Sequence, residues 1–317
     1  MSLKAFPYHL KFKKPFKIAS VERAGTDNLY LKFSKNGFDG WGEAVFPPYI
    51  VENQESAIKE LSKLNWEFSS EDELFKVIAR NQVVLKLQPS LACAMEACLL
   101  NWLANSKGFA LSEVLGLSSI KRTTSYTIGI SSNDEISKSV RETPEAEYFK
   151  LKVNEREIER VVEQYCSISD KPFVIDANQG FLNYKKALYW SEKLFDLEVE
   201  YFEQPFHKDD WLNHQKLKEA TQIPIIADES FQRFNDLGKV EKAFDGINVK
   251  IIKTGGVLEA KRILLKAKEL SLKTIVGCMS GSSTSINTAS SLVALTDYVD
   301  LDGVYLIKND PDLNSFV

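Results

Sequence analysis

Residues 148–252 contain YFKLKV (148–153), PFVIDAN (172–178), VEYFEQP (199–205), PIIADES (224–230) and GINVKII (246–252), five apolar runs that each close on a charge. The charges are Lys152, Asp176, Glu203, Asp228 and Lys250, spaced 24, 27, 25 and 22 residues apart. Such an interval holds one strand, one helix and their turns, so the stretch reads as consecutive βα units. A sixth run, YVDLDG (298–303), ends on Asp300, 50 residues after Lys250, which is two more units. With TTSYTIGI (123–130) and KTIVGCM (273–279), eight strand candidates lie between Thr123 and Gly303. Eight units in roughly 180 residues predict an α/β fold, a TIM-type barrel of the (β/α)7β form. A doubly wound sheet would not gather six successive strand ends around one point. In a barrel the site lies at the C-terminal ends of the strands, where these charges fall.

Outward from this stretch the pattern changes. KAFPYHLKFKKPFKI (4–18) and NLYLKFSKNGFDGWGEAVF (28–46) alternate as strands around an Asn36-Gly37 hairpin signal. ESAIKELSKL (55–64) and PSLACAMEACLLNWLANSKG (89–108) then read as helices, the second stopped near Gly108. Strands followed by grouped helices predict an α+β capping domain over 1–118, beside a catalytic barrel over 119–317. Helices are expected at 155–166, 183–194, 210–221 and 256–270. The chain stops soon after the last strand candidate, so a final helix is expected to be short or missing.

Composition excludes several classes. The 317 residues are 44% hydrophobic and 26% charged with a net charge of −4, which leaves no basic footprint for nucleic acid. No apolar run approaches the roughly 20 residues of a membrane span, and MSLKAFPYHLKFKKPF (1–16) has no continuous apolar signal core. Cys93, Cys98, Cys166 and Cys278 form no CxxC pair, and free thiols point to a reducing cytoplasm. With only His9, His207 and His214 present, acid/base chemistry falls to carboxylates and lysines.

Asp176, Glu203 and Asp228 come from three successive strands. Carboxylate oxygens without His or Cys favour Mg²⁺, or Mn²⁺, with positions left for substrate. Each could instead cap the helix that follows it. Three at even pitch, flanked by lysines, favour a shared cation. Lys150 and Lys152 face the same side of their strand, which sets a like charge beside a candidate base. Lys250, four strands on, faces Lys152 from the opposite side, with Asn248 inward in the same phase. Two lysines across a metal suit proton removal next to a carboxylate, through an enediolate, and its return to the other face.

The segments KLK (150–152), DANQG (176–180), EQP (203–205), ADES (227–230), NVK (248–250) with KTGG (253–256), and GWGEA (40–44) carry a family pattern. Across essentially its whole length the chain resembles the muconate lactonizing subgroup of the enolase superfamily. The resemblance implies metal ligands at Asp176, Glu203 and Asp228, catalytic lysines at Lys152 and Lys250, and an auxiliary Lys150. Glu229 would stand behind the metal. Lys253 has an odd spacing from Lys250, which turns it away from the barrel centre.

Asp300 and Asp302 form a DxD pair resembling that of the dipeptide epimerases, where it holds the substrate's N-terminal amine. Within VGCMSGS (276–282), Cys278, Met279 and Ser280 would line the dipeptide backbone, and Thr127 would touch it. Gly281 stands where many relatives of the family carry an acidic residue, a departure that would leave more room or remove a polar contact. In the loops at 19–28 and 46–53, Arg23 would pair with an acidic side chain, whereas Phe46, Tyr49 and Ile50 would favour an apolar one. The expected activity is a Mg²⁺-dependent 1,1-proton transfer at the C-terminal residue of L-Ala-D/L-Glu-type dipeptides from murein. The alternatives are o-succinylbenzoate synthesis, N-acylamino acid racemisation or cycloisomerisation on the same scaffold, or a barrel that binds without turnover. The expected partner is a small dipeptide, with a homo-oligomer left open.

Overall fold

The computed structural model describes residues 1–17, 22–48 and 50–316. Strands β1 (Ser2–Lys17), β2 (Glu22–Lys35) and β3 (Phe38–Val45) form an antiparallel sheet in that order. Lys35 pairs with Phe38, so the β2–β3 loop is two residues long. Asn36 and Gly37 adopt φ of 54° and 79°, the left-handed pair that a two-residue hairpin demands. Against this sheet lies the helix Pro89–Lys107, which opens on proline and stops at Gly108 with φ 68°. A helix apolar on all sides needs protein on all sides. Here Cys98 Sγ faces Leu31 O at 3.4 Å, while Asn101 Nδ2 donates to Trp41 O (2.9 Å) and Thr288 Oγ1 (3.4 Å). The helix therefore joins the sheet to the barrel.

Eight parallel strands follow: β4 (Tyr126–Ile128), β5 (Phe149–Lys152), β6 (Phe173–Asp176), β7 (Phe202–Glu203), β8 (Ile225–Ala227), β9 (Gly246–Lys250), β10 (Lys273–Gly277) and β11 (Tyr298–Asp300). They neighbour one another in chain order. Ser125 N donates to Val299 O at 3.0 Å, which brings the last strand back to the first. The predicted helices stand at Ile158–Cys166, Tyr184–Asp196, Trp211–Ala220 and Val257–Glu269. Alternation splits each strand between two environments. Phe149, Leu151, Phe173 and Ile175 join the large core beneath the helices. Inside the barrel, Val174, Tyr201, Ile226 and Ile275 pack with Tyr148 and Tyr298 as a separate apolar floor. One step towards the C-terminal ends, the same inward phase turns polar.

After β11 the chain makes a 3-10 turn, Gly303–Leu306, and crosses back to the antiparallel sheet. Ile307 bridges to Phe12, Tyr8 donates its hydroxyl to Asn309 O at 3.1 Å, and the Phe316 ring lies 5.0 Å from Phe6. The expected short ending is thus a strap between the two layers. No helix among the described residues is long and apolar enough to cross a membrane.

Candidate active site

The inward phase places Lys150, Lys152, Asp176, Glu203, Asp228, Lys250 and Asp300 around one point above the apolar floor. Asp176, Glu203 and Asp228 each offer an oxygen within 4.8 Å of the others, and all three are buried. Lys152 Nζ lies 2.5 Å from Asp176 Oδ2, and Lys250 Nζ lies 2.7 Å from Asp228 Oδ2. With β5 and β9 four strands apart in the sheet order, the two ammonium groups flank the triad from opposite sides. Lys150 sits deeper. Its Nζ donates to Asp300 Oδ2 at 2.6 Å and lies 2.7 Å from Glu203 Oε2 and 3.3 Å from Asp176 Oδ2. Burial pulls Lys150 down, but Asp300, Glu203 and Asp176 outweigh it and hold its ammonium firmly protonated. Lys150 is therefore a counter-ion to three carboxylates more than a bare charge pressing on Lys152.

Electrostatics test whether these residues suit a cation. Burial, then the charge of Asp176, pushes the Glu203 carboxyl up to about 7. Burial also acts on Asp176, where Lys152 and Lys150 outweigh it and hold the carboxyl below its ordinary value. At Asp228 the same burial is outweighed by Lys250 and Lys253. Glu203 is thus the ligand whose charge is least compensated. Its Oε2 has no hydrogen bond, because Lys150 approaches it as an ion pair outside hydrogen-bond geometry. Three hard oxygens, one of them only partly compensated, fit a divalent metal ion.

Neighbouring side chains hold this geometry. Asn248 Nδ2 donates to Glu203 Oε1 at 2.8 Å, from the inward position expected for it. Gln204 Oε1 accepts from the amides of Asp228 and Ser230, both at 3.0 Å, which ties the ends of β7 and β8 together. His214, buried and held down to about 4 by its desolvation, is neutral. Its Nδ1 faces Asp210 O at 2.8 Å, so the proton belongs there and Nε2 accepts from Phe206 N at 3.3 Å. Glu229, next to Asp228, accepts from Asn178 Nδ2 at 3.2 Å. Burial and the charges of Asp228 and Asp176 push it up to about 8.

Above the triad opens a cavity of about 770 Å³. It is lined by Lys152, Lys250, Thr127, Cys278, Met279, Ser280, Asp300 and Asp302 from the barrel, and by Arg23, Val45, Pro47 and Ile50 from the N-terminal region. Every candidate substrate residue of the barrel is brought to this one space. Asp300 accepts from Ser125 Oγ at 2.9 Å as well as from Lys150. Burial raises it, yet Lys150 outweighs this and holds it at about 2. Asp302 accepts from the Thr127 amide at 2.6 Å, and burial followed by the charge of Asp300 pushes it up to about 6. A carboxyl raised by a neighbouring carboxylate on a cavity wall is relieved by an incoming ammonium group.

Three expectations change. Lys253 does not point away: its Nζ donates to Asp228 O (2.8 Å), Asp228 Oδ1 (2.9 Å) and Asn248 O (3.0 Å). Strand alternation fails there because β9 ends at Lys250 and a helical turn, Ile251–Thr254, begins. Gly281 does not open space, since a Cβ there would lie 2.9 Å from Ser285 Cβ and 3.1 Å from Val45 Cγ2. Phe46 packs against the core and is absent from the cavity lining, which Ile50 joins. Tyr49 and residues 19–21 lie outside the described residues. Gln204 and Glu43 stand in the EQP and GWGEA segments and His214 among the three histidines, but the sequence assigns none of them a role. The one available signal was a lone charge inside an apolar strand, as at Glu43.

The barrel stretch 135–302 matches the family model described as enolase C-terminal domain-like. The chain belongs to the enolase superfamily. It is 31% identical to the L-Ala-D/L-Glu epimerase of Bacteroides thetaiotaomicron over 98% of its own length and 82% of that protein. It is 33% identical to the L-Ala-D/L-amino acid epimerase of Flavobacterium johnsoniae, covering 96% and 90%. The dipeptide epimerase of Methylococcus capsulatus, solved with Mg and L-Arg-D-Lys, superposes with a TM-score of 0.88 at 25% identity, covering 98% of this chain and 92% of that one.

Proposed function

We propose that this enolase-superfamily member is a dipeptide epimerase, an isomerase that inverts the α-carbon of the C-terminal residue. The observation that carries the reading is the placement of Lys152 and Lys250 on opposite sides of a buried carboxylate triad. Asp176, Glu203 and Asp228 would hold the cation, for which Mg²⁺ is the choice that hard oxygen ligands and the Mg-bound relative support. When bound, it supplies positive charge for the substrate carboxylate as the α-proton leaves. Asp300 and Asp302 receive the dipeptide's ammonium group, which fixes the α-carbon between the lysines. One lysine, in its neutral form, takes the α-proton through Nζ. The opposite lysine, in its ammonium form, returns a proton to the other face. Protons and charge balance, and the two lysines exchange states with each turnover.

Arg23 at the cavity wall favours an acidic C-terminal side chain, consistent with the name of the Bacteroides relative. The cysteines at positions 93, 98, 166 and 278 are unpaired, which accords with work in a reducing compartment. The test is incubation in D₂O with Mg²⁺ and a panel of dipeptides, followed by mass spectrometry. L-Ala-L-Glu is expected to gain one deuteron at the glutamate α-carbon and yield the L,D epimer. If no dipeptide in the panel exchanges, the reading is wrong.

A further inference from the structure

Glu43, in β3 of the antiparallel sheet, is 2% exposed and satisfied entirely by donors. Its Oε1 accepts from Asn28 Nδ2 at 2.7 Å and Tyr30 OH at 3.0 Å. Its Oε2 accepts from Ser282 Oγ at 2.6 Å and Ser285 N at 3.1 Å. Both oxygens face Ser282 N, at 3.1 and 3.0 Å. Each of these bonds is donated by an uncharged group. Only a carboxylate offers acceptors alone, since a glutamine here would set its NH₂ against a backbone N–H. A carboxylate meets that set of donors, at the cost of burying a charge.

What Glu43 grips is the segment that faces the substrate. Ser282 caps the helix Ser283–Ser290 and closes the loop in which Cys278, Met279 and Ser280 line the cavity. Val45, on the same face of β3, presses on that loop at Gly281. On its other side the loop meets the turn after Asp302, where a Cβ on Gly303 would lie 2.9 Å from Met279 O and 3.1 Å from Cys278 Sγ. A continuous chain of contacts therefore runs from Glu43 through the loop to the DxD turn.

We propose that Glu43 is a positioning residue for dipeptide binding, fixing the 278–282 loop and the adjoining Asp302–Gly303 turn from the opposite layer. This rests on the dipeptide-epimerase reading for its kinetics but not for its structural half. Glu43→Gln is expected to raise KM for L-Ala-L-Glu by about tenfold or more while kcat stays within about threefold. Ser282→Ala, which removes the hydroxyl bond to Glu43 and the cap on Thr284 N, is expected to raise KM by about threefold without loss of folding. Glu96→Gln is the control. Glu96 is equally buried and caps another barrel helix through Leu258 N at 2.9 Å, so its loss should lower Tm and leave KM alone. A parental KM in both the Glu43 and Ser282 variants, or a loss confined to kcat, overturns the proposal. Amide hydrogen exchange across 278–290 separates this from the reaction itself. Faster exchange in Glu43→Gln, or in Ser282→Ala should the former not fold, supports the grip. An unchanged pattern refutes it whether or not the wild type turns over a dipeptide.

Discussion

The two halves of the cavity are built by different means. From β5 to β9, the lysines and carboxylates proposed for the chemistry follow the inward phase of the barrel strands and brace one another, Lys152 on Asp176, Lys250 on Asp228 and Asn248 on Glu203. From β10 round to β4, Cys278, Met279, Ser280 and Asp302 of the groups proposed to hold the substrate lie just beyond the strand ends, while Thr127 and Asp300 stand on β4 and β11. The 278–282 loop is braced from outside the barrel by Glu43 and Val45 of the sheet, and Ser283 beside it by Asp310 of the strap, whose Oδ1 accepts from Ser283 N at 2.9 Å. On the proposed function, chemistry falls to the half braced within the barrel, and recognition to the half that draws part of its support from another layer. Side chains on strands are set more firmly than side chains on loops, so the first half should be intolerant and the second graded.

The comparison breaks most sharply at the triad. Glu203→Gln is expected to lower kcat/KM at least about 10³-fold in steady-state epimerisation. Because a cation would bind the folded state alone, calorimetry should show Tm rising with Mg²⁺ in the parent and hardly at all in this variant. A magnesium-dependent Tm in Glu203→Gln would dissolve the distinction between a rigid metal side and the rest. Next in size, Asp302→Asn is expected to cost roughly 10²-fold in kcat/KM for a free dipeptide, read against its N-acetyl derivative, which has no ammonium group and should lose little. Equal losses for both would remove the DxD pair from recognition.

A smaller effect follows from pH. Asp302 is pushed up to about 6, and on the proposed function its carboxylate form receives the ammonium group. KM should therefore rise as pH falls through about 6, while the dipeptide amine stays protonated throughout. Asp302→Asn should flatten that limb in a KM–pH profile. Least of all, Arg23→Ala should raise KM about tenfold or less for L-Ala-L-Glu and leave L-Ala-L-Ala unaffected. An equal change for both substrates would show Arg23 to be packing only.

The same division decides what was legible in the sequence. Lys152, Asp176, Glu203, Asp228 and Lys250 are readable because strand alternation and an even βα pitch are periodic, so one-dimensional spacing becomes a ring. Lys253 marks where that logic stops. Alternation turns it away from the barrel centre, yet a helical turn after Lys250 swings it onto Asp228. Gly281 shows a second limit: a missing side chain reads as space, whereas here Ser285 and Val45 have closed in. Glu43 bonds residues 239 and 242 positions away, and His214 braces Gln204 within a fold of the chain that no periodicity announces. The Glu43 contacts are fixed by packing of the two layers, which leaves no local signal.

The opposed lysines are the centre of the account, and single-lysine variants test them directly. Lys152→Ala and Lys250→Ala, each incubated in D₂O with Mg²⁺ and separately with L-Ala-L-Glu and L-Ala-D-Glu, should both lose epimerisation by roughly 10³-fold. Each should still exchange the α-proton of one epimer through its remaining lysine, and the two variants should select opposite epimers. Exchange of the same epimer by both variants, or of both epimers by either, would contradict the placement of one lysine on each face.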